Sequence, residues 1–459
     1  MVRRSRWLLC MAVIGCSDDV TVVEGGDEAT ASDSSASTDT SSSTDTSSED
    51  EGEDESGEVE LECGQCSDPW THVGSLSVTL ETIGNIEPCL VAVEGGVLIT
   101  GIHDPALLTS FNHLQHVSGN FGFVSSLMTD LEPFGCLTQV DDIVTIGHND
   151  QLQSLHGLER LTSVGALTIR NNQSLTSLAG LASTIESPGS LTIDDCDALP
   201  DLDALAELEL SFTGVQIISN NTLTDITGLA GMFTGVSETS LTILSNFALT
   251  NLAGLEGLVS IPSLRLRDLP ALASLDALAG LEAVEGRLTL EELPLDDLSG
   301  LDSLATIDEL WITENDALAT VDGMPALTTV DAVYLQRNPA LTDFWGLMPA
   351  AAEASWILLE DDDSLISLDE LAGITSLDSL SIRGCDSIAS LASLASLQTI
   401  ERLGLLGNAQ LTSLAGLEQL VSIGTLDIHN QLEITTLAPL AELESLDELS
   451  LNYTGIVNL

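Results

Sequence analysis

One apolar phrase recurs along most of this chain: LTIRNNQSLTSLAGL at residues 167–181, LTILSNFALTNLAGL at 241–255 and LGLLGNAQLTSLAGL at 403–417. A repeat this short cannot bury its apolar face alone, so each unit must stack on its neighbours. Aligned on the leading L-x-I triplet, units start at Leu76, Val97, Phe121, Val144, Leu167, Leu191, Val215, Leu241, Leu264, Leu288, Leu310, Val333, Trp356, Leu380, Leu403, Leu426 and Leu449. The mean spacing of these starts is about 23 residues, which is a solenoid period.

Numbered from its first residue, each unit prefers apolar side chains at positions 1, 3, 9, 12, 15, 18 and 21, and Asn at position 6. Positions 1 and 3 carry the period of a strand with one face buried. The later positions are three apart, and on an α-helix successive members would rotate by about 60°, so they share no helical stripe. Short strands and 3₁₀-like bends turning about a common axis do place every third residue inward. Position 6 holds Asn149, Asn172, Asn220, Asn246, Asn315, Asn338 and Asn408. Asn tolerates a left-handed turn, and its amide bonds to backbone groups of its own and adjacent coils, so a stacked ladder is expected there.

The phrases LTIRNNQSLTSLAGLAS and LTILSNFALTNLAGLEGLVSI resemble the receptor L-domain type of leucine-rich solenoid, found in receptor ectodomains, fungal cell-wall proteins and many bacterial lipoproteins. The resemblance covers residues 76–459 and departs from the common leucine-rich consensus in the spacing after the Asn. It implies an all-β-rich, β-helix-like leucine-rich repeat array of about 16 coils with a period near 23 residues, rather than a horseshoe with outer helices. Aromatic residues make up only 3% of the chain, so the expected core is aliphatic.

The first residues carry Arg3, Arg4 and Arg6 and then a short apolar run, the pattern of a signal peptide over 1–15. Val13-Ile14-Gly15-Cys16 resembles the lipobox of bacterial lipoproteins, which implies acylation of Cys16 and a membrane partner through that lipid. Ser17 in place of Asp weakly favours the outer membrane, so the expected address is the bacterial cell envelope, as a surface-exposed outer-membrane lipoprotein. Residues 16–62 hold 17 acidic side chains after Cys16, no basic one and no aromatic, which predicts a disordered acidic tether. A Cys-rich N-terminal cap and first coil are expected over 63–96, and the repeat solenoid over 97–459.

Eleven Arg, no Lys and 72 acidic residues give a net charge of −61, a field that repels phosphate backbones and argues against nucleic acid as a partner. Of the eight Cys, Cys63, Cys66, Cys89 and Cys136 cluster where the array needs a cap, and these four are the disulfide candidates with three pairings open. Cys196 and Cys385 occupy position 6 eight coils apart, too far to pair, and are expected to be free buried thiols.

No nucleophile, metalloprotease, phosphate-loop or dinucleotide pattern is present, so no catalytic residue is assigned and an enzyme is not expected. His103, His113, His116, His148 and His156 form a His-rich stretch without the spacing of a metal site, and no metal ligand is assigned. The acidic pairs Asp141-Asp142, Asp194-Asp195, Asp296-Asp297 and the run Asp361-Asp362-Asp363 are at most weak Ca²⁺ ligands, the single cofactor the sequence suggests. The outward positions 2 and 4 carry a ligand-binding candidate: Arg265, Arg267, Trp311, Tyr334, Gln336 and Ile357, with Leu359 beside them. Such aromatic faces suit a protein or glycan ligand, which makes recognition or adhesion the leading expectation and a structural envelope protein binding divalent cations the alternative.

Overall fold

The computed structural model describes residues 63, 65–187, 189–206, 208–347, 350 and 354–457; the signal peptide, Cys16 and the tether lie outside the described residues. The alternation at the head of each unit makes a short strand that pairs in parallel with the strand one unit earlier and one unit later. Leu167, Leu191, Val215, Leu241 and Leu264 are in register. The same ladder continues through Leu288, Leu310 and Val333 to Leu449.

A second parallel ladder, through Val93, Val117, Val140 and Val164, forms another wall of the coil, with further pairs of Ile185 with Leu210 and Gly235 with Leu258, and runs on through Ile261, Val284, Ile307 and Val330. In several units the two strands merge into one, as in Thr306–Thr313, Thr329–Gln336 and Ser422–His429. The return path is made by 3₁₀ turns such as Asp203–Leu205, Asp276–Leu278 and Ala392–Leu394. Leu249, Leu252, Leu255, Leu258 and Ile261 are all buried, as the three-residue spacing requires. Each such side chain contributes about 2 kcal/mol by leaving water. No α-helix occurs among the described residues. The chain is therefore a parallel β-solenoid of about 16 turns with a period near 23 residues.

One rung departs from the expected frame. Val333 pairs with Ile357, not with Trp356, and Ala332 pairs with Trp356. Ile357 and Leu359 are thus buried at positions 1 and 3, Leu358 faces outward, and Trp356 lies outside. The assignment of Ile357 to a ligand surface is corrected accordingly. The segment WILLE has four apolar residues in succession, so alternation alone permits either frame.

The amide ladder at position 6 forms. Asn149 donates its backbone N–H and its Nδ2 to Asn172 Oδ1, at 3.1 and 3.2 Å, and Asn172 Nδ2 donates to the Ile146 carbonyl at 3.0 Å. Equivalent bonds link Asn220 to Asn246 and Asn315 to Asn338. The left-handed residue is, however, at position 5: Asn171, Ser219, Ser245, Glu314 and Arg337 have φ between 53° and 58°. The position-6 amide is kept for the ladder because it alone points inward at the bend. Leu269 and Leu293 interrupt the ladder where apolar packing replaces it. Asn172→Ala is expected to lower stability by about 3 kcal/mol, because two Asn149 donors and the Ile146 carbonyl lose their partner in a dry interior. Faster hydrogen exchange at Asn149 with little change in distant coils would check this, since coils couple to their neighbours.

The four clustered cysteines pair as Cys63–Cys136 and Cys66–Cys89. Beneath them the core is not aliphatic: Phe111, Phe121 and Phe123 meet Phe134 edge to face, with ring centroids 6.1, 5.1 and 5.3 Å apart. Half of the chain's eight Phe are thus spent on the first coils, where large rings fill the end of the stack. Cys196 and Cys385 are free and buried, and burial pushes both thiols up to about 12.

Candidate recognition face

Outward columns of the sheet run along the array, one residue per coil, at the residue before position 1 and at positions 2 and 4. Strand spacing puts successive members about 4.8 Å apart. Trp311 and Tyr334 are adjacent in the position-2 column and Gln336 stands in the position-4 column beside them. The two rings stack with centroids 4.0 Å apart and planes 20° from parallel.

The Arg287 guanidinium lies 4.7 Å from the Trp311 centroid and comes from the preceding coil, so Trp311 sits between a cation and a phenol ring. Glu309 ties the group together, pairing with Arg287 at 2.7 Å and accepting from Trp311 Nε1 at 3.1 Å. Burial, followed by the Glu309 carboxylate, pushes the Tyr334 phenol up. Both faces of the Trp311 ring are therefore occupied from within the protein. Arg287 and Glu309 went unnoticed in sequence because they precede position 1; extending the alternation one step backwards finds them.

The basic residues of this region are also engaged. Arg265 pairs with Glu291 at 3.0 Å, Arg267 with Glu291 at 3.4 Å and Glu292 at 3.0 Å, and Arg337 with Glu314 at 2.6 Å. Gln336 Nε2 donates to Glu360 at 2.8 Å. Arg265, Glu291, Trp311 and Gln336 border a shallow depression of about 390 Å³. Trp311, Tyr334, Gln336, Arg265 and Arg267 thus do come together, as a self-satisfied polar and aromatic face.

Glu291, Glu292 and Glu314 form a trio of carboxylates within 4.8 Å of one another, which the sequence did not suggest and which ion pairs with Arg265, Arg267 and Arg337 neutralise. The run Asp361-Asp362-Asp363 does not act as one ligand set: Asp361 is exposed at the left-handed bend, while Asp362 points inward at position 6 with no accessible surface. The histidines are dispersed: His116 meets Asp141 at 3.1 Å and His156 meets Glu159 at 2.5 Å. His429 Nε2 lies 2.7 Å from Ser450 Oγ, and no carboxylate bonds to its Nδ1 among the described residues.

The next coils carry a second concavity, of about 180 Å³, bordered by Trp356, Ser381, Arg383, Arg402, Gly404 and Asp427. Trp356 is 36% exposed at its rim. Ser379 lies between Trp356 and Arg402 in the same column, and its buried Oγ has no hydrogen-bond partner among the described residues.

No family model matches the chain, and no characterised protein matches it in sequence. Similar solved structures include the TLR13–ssRNA13 complex, at 13% identity over 84% of this chain and 74% of that chain, with a TM-score of 0.32. Another is an internalin from Listeria monocytogenes, at 18% identity over 82% of this chain and 89% of that chain, with a TM-score of 0.30. Likenesses at these scores carry no information about what this chain binds.

Proposed function

We propose that this chain is a non-catalytic recognition or adhesion protein held at a bacterial cell envelope. In this reading acylated Cys16 anchors it to the outer membrane, residues 17–62 hold the solenoid away from the lipid, and the outward sheet face meets a protein or glycan. The observation that carries the reading is the composition of that face. Arg265, Arg267, Arg287, Trp311, Tyr334, Trp356, Arg383 and Arg402 lie along it, on a continuous parallel sheet. A rigid sheet presents such groups without the entropy cost of ordering a loop. The overall charge of −61 works against nucleic-acid partners.

Two measurements test the reading. Cys16→Ser is expected to move the protein from the membrane fraction to the soluble fraction of its native cells; unchanged partition removes the anchor. The full chain in detergent, applied to glycan and surface-protein arrays, is expected to bind a limited set of ligands; the absence of any ligand removes recognition in favour of a purely structural role.

A further inference from the structure

We propose that the groove between Trp356 and His429 binds a single sugar unit bearing one carboxylate, the terminal hexuronate of a short glycan. The proposal rests on the recognition reading above and gives it a site and a ligand class. It begins with the arginines. Arg265, Arg267, Arg287 and Arg337 each hold a carboxylate of this chain, whereas Arg160, Arg170, Arg383 and Arg402 form no ion pair among the described residues. Of these last four, Arg383 and Arg402 line one common groove. In a chain with 72 acidic residues, Arg383 and Arg402 share a concavity whose lining holds a single carboxylate, Asp427, with which neither forms an ion pair, so the concavity is locally more positive than the rest of the surface. A guanidinium binds a carboxylate through two parallel N–H bonds, more strongly than it binds a neutral oxygen.

The remaining wall fits a pyranose. Trp356 and Arg402 stand in one column with Ser379 between them, and Ser381, Gly404 and Asp427 form the next column. The floor is therefore small side chains, and the rim on one side is an exposed indole face, to which the C–H face of a sugar ring packs. Arg383 Nε donates to Ser381 Oγ at 2.9 Å, which draws its guanidinium over the floor. The Asp427 carboxylate supplies an acceptor for ring hydroxyls, and rotation of the Ser379 side chain, whose buried Oγ is unpaired among the described residues, supplies a hydroxyl. His429 closes the far side, fixed by Ser450 at 2.7 Å. A Cβ at Gly404 would lie 3.1 Å from Ser381 Oγ and 3.2 Å from the end of Leu406, so this floor position is open because it has no side chain.

The chain's own field restricts the charge of the ligand. Repulsion from the acidic surface grows in proportion to ligand charge, so a doubly charged phosphate ester or a long polyuronate is disfavoured relative to one terminal carboxylate. Peptides are disfavoured because the floor offers no apolar pocket for side chains.

The test titrates the full chain in detergent with a glucuronate-terminated trisaccharide and its glucose-terminated counterpart, by calorimetry. The uronate is expected to bind at least tenfold more tightly. Arg402→Gln and Trp356→Ala are each expected to weaken it at least tenfold, and Gly404→Thr to abolish binding by filling the floor while every charge remains. Thermal melting of each variant, with Arg402→Lys as a charge-keeping control, separates loss of the site from loss of the fold. Equal affinity for the neutral sugar, undiminished binding by Arg402→Gln in a folded chain, or preference for an acidic peptide would each overturn the assignment. If arrays find a ligand whose binding ignores Trp356 and Arg402, this site is wrong and recognition stands; if the chain binds no ligand at all, both fall.

Discussion

Asp362→Asn is expected to stabilise the solenoid by on the order of 4 kcal/mol at pH 8 and by far less near pH 3.5. Asp362 occupies the place of a ladder amide. Its Oδ1 accepts from the Asn338 backbone at 2.8 Å and from Asn338 Nδ2 at 3.1 Å, while its buried Oδ2 has no partner among the described residues. Burial pushes its carboxyl up from 3.8 to about 7, against the hydrogen bonds from Asn338, which lower it.

A raised carboxyl pKa means that the folded chain holds a proton the unfolded chain has released. Stability is therefore undiminished below the unfolded value, falls as pH rises from about 4 to about 7, and stays at the lower level above that. Asn keeps the acceptor, removes the titration and adds a donor that, by analogy with Asn338 Nδ2 on the Ile312 carbonyl, reaches the carbonyl of Leu335. The difference in melting temperature between wild type and variant, measured at successive pH values, isolates this group from the other acidic residues. A difference that is flat with pH would show that Asp362 is not the buried acid described here.

Reduction of the two disulfides is expected to unfold the first coils while the later ones stay folded. Cys63–Cys136 and Cys66–Cys89 close loops with sequence separations of 73 and 23. Chain-entropy arguments assign such loops about 4 and about 3 kcal/mol, and the smaller loop lies inside the larger, so the sum is an upper limit. The coil at Leu76 contributes a strand of three residues, and Leu80 and Val73 beside it are exposed, so little apolar burial holds this end without the cross-links. Because each coil leans chiefly on its neighbours, loss spreads inward from the end until the Phe134 cluster resists it. Hydrogen exchange under a reducing agent, or in a Cys63→Ser/Cys136→Ser chain, should show protection lost before Phe111 and retained around Leu241. Uniform loss along the array, or none, contradicts the cap role.

Much of this architecture is legible in one dimension. The frame read from L-x-I triplets agrees with the paired register at every rung but that of Trp356, and the buried Leu at every third position and the position-6 ladder follow from the same phrase. The exception is instructive. Four apolar residues in succession, Trp356 to Leu359, satisfy an inside-outside alternation in either frame, and only the pairing of Val333 with Ile357 chooses. That choice moves Trp356 to the surface and Asp362, rather than Asp361, into the ladder, so both the groove and the buried acid were hidden by one step of register.

The periodic phrase by itself determined that the chain winds into stacked coils whose interior is mainly aliphatic beyond the first coils, because burial of a repeated side chain depends on spacing along the backbone. Tertiary structure alone decided which cysteines pair, which aromatic rings are covered and which guanidinium groups are left without a carboxylate. Those outcomes depend on side chains about 23 residues apart meeting across one strand spacing, and a shift of a single residue in that meeting exchanges inside for outside.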